Sequence, residues 1–354
     1  MKKIASYALG CKVNQYESEA IAELFAEKGY EVVSVDDEAD VYIINTCTVT
    51  NFGDKKSRQL IRKVKRQNEN AIVAVVGCYA QTAPEELAAV HGVNLVIGTK
   101  DKSKIVELVE DYQAEQGVQN YVTDIMHERV FEPLEIKKLA NRTRAYLKIQ
   151  DGCSQFCSYC IIPYARGPIR SRQPEDVIAE VKRLAENGFK EVVLTGIHVA
   201  SYGKDLKTIT LIDIIRQVHE VEGIERIRFS SIEPNVVTEE FAAAMAELPK
   251  VCDHFHLSLQ SGCDKTLKEM NRKYDTEKYR QAAALLRKYL PDVAITTDII
   301  VGFPGETEED YQASRAFAEE IGFSKIHVFP YSPKKGTPAA ARKDQLQNVV
   351  KQER

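Results

Sequence analysis

The chain has no run of 18 apolar residues, no large excess of charge of either sign, and too few cysteines for a disulfide scaffold. The first absence excludes a membrane-spanning helix. The second, 48 Lys+Arg against 52 Asp+Glu for a net charge of −4, means that any nucleic-acid contact must come from local basic patches. The third, eight unevenly spaced cysteines in 354 residues, points away from an oxidised framework. What is present is ordinary globular composition, 44% hydrophobic and 28% charged. That excludes collagen-like, low-complexity and wholly disordered chains. At roughly 100–200 residues per domain, the length predicts about two domains. The start, MKKIASYALGC, imitates a lipoprotein signal. Its apolar part is short and holds Ser6 and Tyr7, so it reads better as a first buried strand, and the protein is expected in the cytoplasm.

Hydrophobic patterning predicts an α/β protein. Strands are expected over 3–9, 31–35, 41–45, 71–76 and 95–97, with helices over 18–28, 53–66, 84–90 and 102–109. This alternation implies a doubly wound parallel sheet in residues 1–111. The polar, irregular stretch 112–142 reads as a linker. From 143 to 338 six further strands are expected, over 145–150, 191–195, 226–231, 254–260, 294–301 and 325–329. Helices at 174–187, 211–221, 276–289 and 306–321 fall between them. Six such units suggest an open, partial (β/α)6 barrel. Residues 339–354 read as a polar helical tail.

Two sets of three cysteines carry the chemistry. Cys153, Cys157 and Cys160 form C-x3-C-x2-C within eight residues, a spacing that only a tight loop can hold. Iron–sulfur clusters usually take four thiolates, so three would leave one iron open, as catalytic metal sites do. A zinc loop or three incidental thiols are the bland alternatives, and no fourth Cys or His lies between Asp151 and Arg172. Cys11, Cys47 and Cys78 are dispersed, but each directly follows an expected strand. A parallel sheet brings such ends to one edge, where ligands bind. Buried structural cysteines are common, and Cys252 and Cys263, which fit neither set, read as packing residues.

The loop 153–160, with Tyr159 before its last cysteine, resembles the radical S-adenosylmethionine (radical SAM) signature. LGCKVNQYESE (9–19), NTCTVT (45–50), VVGCYAQ (75–81), LKIQDGCSQFCSYCIIPYARGPIRSR (147–172), TGIHVASYG (195–203), SSIEP (230–234), LSLQSG (257–262) and VGFPGE (301–306) extend this to the methylthiotransferase family over essentially the whole chain. Three substrate branches are known in that family: threonylcarbamoyladenosine in tRNA, prenylated adenosine in tRNA, and an aspartate of a ribosomal protein. Lys12 to Gln15, Thr48 to Thr50 and Tyr79 are most similar to the threonylcarbamoyladenosine branch.

The resemblance implies two [4Fe–4S] clusters. Cys153, Cys157 and Cys160 would hold the one that binds and splits S-adenosylmethionine (SAM). Cys11, Cys47 and Cys78 would hold an auxiliary cluster that carries the sulfur, with a second SAM as methyl donor. It also implies a tRNA substrate modified at adenine C2 of position 37, and an electron donor such as flavodoxin or ferredoxin. Members usually continue into a small RNA-binding β-barrel, TRAM, which does not follow Arg354 here. The remaining alternative is a non-catalytic zinc- or RNA-binding protein. The number of chains in the assembly is left open.

Other residues have weaker claims. Tyr159, Thr195, Gly196, Glu233, Gln260 and Gly302 are candidates for SAM contact, because most sit at expected strand ends, where barrel sites are built. Gly196 and Gly302 could equally be turn glycines, and His198 reads as a surface or packing residue. Two basic runs are candidate RNA contacts. One includes Lys55, Lys56, Arg58 and Arg62. The other runs from Lys137, Lys138 and Arg142 to Arg166, Arg170 and Arg172. A solvated helix face is the bland reading of either run, and the last three arginines could instead meet SAM or pair with barrel acids.

Overall fold

The computed structural model describes residues 1–136 and 144–354. Six strands form the N-terminal sheet: β1 (Lys3–Ala8), β2 (Glu31–Val32), β3 (Val41–Thr46), β4 (Ile72–Gly77), β5 (Leu95–Val96) and β6 (Gln119–Asn120). All pair in parallel, in the order β2-β1-β3-β4-β5-β6. β3 is buried at every residue, as a strand covered on both faces must be. Val41 and Ile43 meet Ile21 and Phe25 of the helix Lys12–Glu27. Tyr42 and Ile44 meet Ile61 and Val64 of the helix Asn51–Gln67 on the other side. The sheet is therefore doubly wound, as the patterning predicts. β6 falls within the stretch read as linker, which carries no hydrophobic period because only two of its residues join the sheet edge.

The second half is a curved sheet of parallel strands: β7 (Arg144–Asp151), β9 (Glu191–Gly196), β10 (Arg226–Phe229), β11 (His254–His256), β12 (Ala294–Val301) and β13 (Lys325–Pro330). The short β8 (Arg170–Ser171) runs antiparallel to β7 at one edge. Single bridges, Ile227 to Val251 and Ile232 to Leu257, join β10 to β11. Helices Pro174–Glu186, Leu211–His219, Glu239–Ala246, Thr276–Tyr289 and Glu308–Ile321 follow successive strands. The six expected strands are all present, and the barrel stays open, with Val328 and Phe329 of β13 exposed at its far edge.

The first helix belongs to both halves. Ile21 and Phe25 lie in the N-terminal core, whereas Tyr16 and Ala20 lie in the barrel core. Positions four apart share a helix face, so the two pairs mark two faces buried against different sheets. The tail forms a short helix, Asn348–Glu353. It docks on the turn after β12, where Arg354 pairs with Glu306 at 2.5 Å. Among the described residues no helix is long and apolar enough to cross a membrane.

Candidate functional site

β1, β3 and β4 are adjacent, and their ladders set Ala8 beside Asn45 and Thr46 beside Gly77. Their carboxyl ends are thus level. The order reverses between β1 and β3, the place where open α/β sheets bind ligands. Cys11 is the N-cap of the first helix, Cys47 directly follows β3, and Cys78 opens the helix Cys78–Thr82. Asn14 ties the first two turns together, donating to Leu9 O at 2.8 Å and Thr46 O at 3.0 Å. Gly10 has φ +91°, and a Cβ there would lie 2.5 Å from Cys47 Sγ. Only glycine permits so close an approach. The sulfurs feel one another: burial, and then Cys78, push the Cys47 thiol up to about 12. Burial also raises Cys11, against the opposing charge of Arg166.

The second triad sits in the loop after β7. The segment 269–272 clamps that loop. Ser158 Oγ donates to Glu269 O at 2.7 Å, Ser158 N to Met270 O at 3.0 Å, and Asn271 Nδ2 to Phe156 O at 2.8 Å. Phe156 (φ +51°) and Asn271 (φ +58°) both take the left-handed conformation, which side-chain-bearing residues rarely hold without support. Burial raises the Cys153 thiol to about 11 and the Cys160 thiol to about 12.

Each triad has a buried arginine on one sulfur. Arg272 Nη1 lies 3.2 Å from Cys157 Sγ, and its Nη2 pairs with Glu233 at 2.8 Å. Arg166 Nε lies 3.2 Å from Cys78 Sγ. Arg166 belongs to the helix Ile162–Arg166, which directly follows the second triad, so this contact joins one cysteine site to the other. Arg166 also binds Glu17 (Nη1 at 2.6 Å) and Asn14 (Nη2 at 2.7 Å) of the first helix. Lys148 Nζ meets Glu17 at 2.7 Å and Asp151 at 2.6 Å, and Lys102 adds a third cation 3.4 Å from Glu17. Burial alone would raise the Glu17 carboxyl. Arg166, Lys102 and Lys148 outweigh it and hold the group well below the usual carboxylate range.

This network corrects one expectation. Arg166, Arg170 and Arg172, candidates for RNA phosphates, are 0%, 3% and 2% exposed. Arg170 stands 3.7 Å from Asp151, and Arg172 pairs with Glu180 and Glu135. They take the other option that the sequence left open, pairing with acids. Lys137, Lys138 and Arg142 lie outside the described residues. Lys55, Lys56 and Arg62 are exposed along the helix Asn51–Gln67, with Lys56 Nζ 4.7 Å from the Phe52 ring centre, and Arg58 is half-buried.

The residues considered for SAM are mostly near the second triad. Thr195 ends β9 beside Gly196, and its buried hydroxyl has no hydrogen-bond partner. Gly196 packs closely on Gln150. Glu233 pairs with Arg272 and lies 3.2 Å from His198 Nε2. Gln260 takes φ +71°. Tyr159 packs against the cluster of Met270, Phe303 and Tyr331. Gly302 stands apart: it is buried beneath the tail, and the Lys351 side chain fills the place of its missing Cβ. Arg272 was missed in the sequence because a single arginine inside a polar run carries no pattern.

A cleft of about 870 Å³ lies between the halves. Thr48, Tyr79 and Ile161 line it, and these are the residues that directly follow Cys47, Cys78 and Cys160. Arg58, Lys334 and Lys335 contribute cations.

A model of the Radical SAM superfamily matches residues 147–318, and one of an uncharacterized protein family, UPF0004, matches residues 3–98. Threonylcarbamoyladenosine tRNA methylthiotransferase MtaB of Bacillus subtilis is 49% identical over 100% of this chain and 79% of its own length. The chain belongs to the radical SAM methylthiotransferase family. MtaB of Aquifex aeolicus is 42% identical over 99% of this methylthiotransferase and 86% of its own length. A tRNA-2-methylthio-N(6)-dimethylallyladenosine synthase of Thermoanaerobacter is 40% identical over 98% and 74%. The structure of the radical SAM methyltransferase TsrM from Kitasatospora setae superposes with a TM-score of 0.68 at 16% identity, over 96% of this chain and 77% of that one, and so shares the fold.

Methylthiotransferases of this family work with [4Fe–4S] clusters and SAM. The residues present suit such groups. Two sets of three neighbouring thiols match cluster chemistry, in which each thiolate takes its own iron. The unpartnered Thr195 hydroxyl at a strand end suits a polar cofactor beside the second set.

Proposed function

We propose that this methylthiotransferase converts N6-threonylcarbamoyladenosine at position 37 of tRNA to its 2-methylthio derivative. The observation that carries this reading is the cleft whose walls include the residues following Cys47, Cys78 and Cys160. A base held there has one cysteine site on either side. When bound, the clusters and SAM supply the radical that removes hydrogen from adenine C2 and the methylthio group that replaces it.

The chain's own part is to place and tune. Cys153, Cys157 and Cys160 hold the SAM-cleaving cluster, and Cys11, Cys47 and Cys78 the auxiliary one. Arg272 and Arg166 each donate a hydrogen bond to a ligating sulfur, and such bonds set cluster potential. Thr195, Gly196, Glu233, Gln260 and Tyr159 form the SAM wall. The exposed cations Lys55, Lys56 and Arg62 lie on a helix that borders the cleft, where they meet tRNA phosphates. Residues 1–111 carry the auxiliary site and 143–338 the radical SAM site. The reductant is a flavodoxin or ferredoxin, and a tRNA substrate places the enzyme in the cytoplasm.

The charged and hydroxyl groups that the cleft offers, Arg58, Lys335 and Thr48 among them, suit the threonylcarbamoyl group better than an apolar prenyl group. The test is anaerobic reconstitution, followed by reaction with tRNA bearing either modification and mass spectrometry of the nucleosides. Methylthiolation of the threonylcarbamoyl substrate alone supports the reading. Methylthiolation of the prenylated substrate alone moves the enzyme to the other tRNA branch, and a colourless zinc protein without SAM turnover would sink both.

A further inference from the structure

We infer that Arg58 is the receptor for the substrate's threonyl carboxylate and so decides which modified adenosine this enzyme accepts. The inference rests on the reading above, that the cleft takes the modified base. A threonylcarbamoyl group carries a carboxylate and a hydroxyl, whereas a dimethylallyl group is hydrocarbon alone. A receptor for the first must be a cation in the cleft, close to the reacting edge, and not already committed to an acid.

The three cations of the cleft differ on these terms. Lys334 is committed, buried in an ion pair with Asp54. Lys335 is exposed at the rim. Arg58 is half-buried, and its partner is a hydroxyl: Nη1 donates to Tyr79 Oη, and the guanidinium carbon lies 5.7 Å from the Tyr79 ring centre. Among the described residues no carboxylate pairs with it. Tyr79 directly follows Cys78, so the cation is held one residue from an auxiliary-site cysteine.

Tyr79 is itself fixed. Its hydroxyl donates to Glu86 Oε2 at 2.8 Å, so toward Arg58 it acts as an acceptor. Of the acids lining the cleft, Asp54 pairs with Lys334, Glu86 accepts the hydrogen bond of the Tyr79 hydroxyl, and Glu85 is exposed. With Nη1 on Tyr79, the edge formed by Nε and Nη2 has no protein partner among the described residues. That edge presents two parallel N–H groups, the fork that grips a carboxylate with two bonds. A hydrocarbon group in the same place would strip water from the fork and return nothing, which is how a polar site rejects an apolar analogue.

The experiment compares four anticodon stem-loops in reconstituted enzyme. Their adenosine 37 is threonylcarbamoylated, threonylcarbamoylated with its carboxylate as the methyl ester, dimethylallylated, or unmodified. Wild-type enzyme should prefer the free acid over the ester, a comparison that needs no variant. Arg58→Ala should lower kcat/KM on the free acid by roughly 10- to 100-fold, the worth of a charge-assisted hydrogen bond, and leave the ester unaffected. Arg58→Lys should restore part of the loss. Iron content equal to wild type shows that the variants fold.

Equal rates on acid and ester, or Arg58→Ala matching wild type on the acid, overturn the inference. So does a uniform loss on all four RNAs with a shallower salt dependence, which would make Arg58 a phosphate contact. Wild-type enzyme inert on the threonylcarbamoyl RNA but active on another removes the substrate reading beneath it.

Discussion

The two cysteine sites reach similar ends by opposite routes. Cys153, Cys157 and Cys160 are gathered by eight consecutive residues, and the clamp at Glu269 to Arg272 fixes the loop that they make. Cys11, Cys47 and Cys78 are gathered by three strands whose ends coincide only once the sheet exists. One site is written in local spacing and the other in topology. The contrast extends to the arginines: Arg272 reaches Cys157 from within the barrel, whereas Arg166 crosses from the barrel to Cys78. The dispersed site therefore depends on both halves, and the compact site on one.

The sharpest break of this comparison is chemical. Replacing Cys153, Cys157 and Cys160 by Ala should abolish SAM cleavage and lower bound iron from about eight to about four per chain, the content of one [4Fe–4S] cluster. Replacing Cys11, Cys47 and Cys78 should also leave about four, but with SAM cleavage retained and sulfur insertion lost. About four in the parent and none in the first variant would mean that the dispersed thiols hold no cluster.

Next in size is Glu17→Ala, which leaves Arg166, Lys148 and Lys102 short of a buried partner. Loss of one member of such a pair costs about 3–5 kcal/mol, read by urea denaturation of the apoprotein at pH 7. The pH dependence has a definite sign. The carboxyl of folded Glu17 titrates below its unfolded value of about 4.3, so its contribution is present above that pH and lost as pH falls through the folded value. The gap between wild type and Glu17→Gln should close on acidification and stay level from about pH 6 to 8. A gap that widens in acid would contradict the network.

A finer probe is Gly10→Ala. Its methyl would collide with Cys47 Sγ, and φ +91° adds backbone strain, so the auxiliary site should lose iron while the radical SAM cluster keeps its spectrum. The smallest effect is expected from Arg272→Lys, which keeps the charge but not the fork. The midpoint potential of the radical SAM cluster should move, with iron content unchanged. An unmoved potential would reduce Arg272 to a packing role.

How much of this was legible beforehand follows the same division. The compact triad is visible as spacing, and the dispersed one as cysteines after apolar runs, because both signals are local. The strand alternation in each half is likewise local, and it predicts both the doubly wound sheet and the open barrel. The order β2-β1-β3-β4, which makes the three cysteine-bearing strands adjacent, is a property of crossovers that no short segment encodes. For a related reason the sequence leaves the arginines after Cys160 open between RNA contact and pairing with acids. A basic run declares its charge, but its partners Glu17 and Glu180 lie 149 residues before Arg166 and 8 residues after Arg172. β6 went unnoticed because two residues cannot establish a period.

The helix Lys12–Glu27 has a consequence for dissection. Its Tyr16 and Ala20 are part of the barrel's interior, and its Ile21 and Phe25 part of the other sheet's. A gene cut between the halves would deliver a barrel with an open apolar groove and a sheet whose helix has one greasy flank in water. Neither piece would be a module in the ordinary sense. Either half taken alone would have to carry this helix along, so heat or urea should melt the two halves in a single transition.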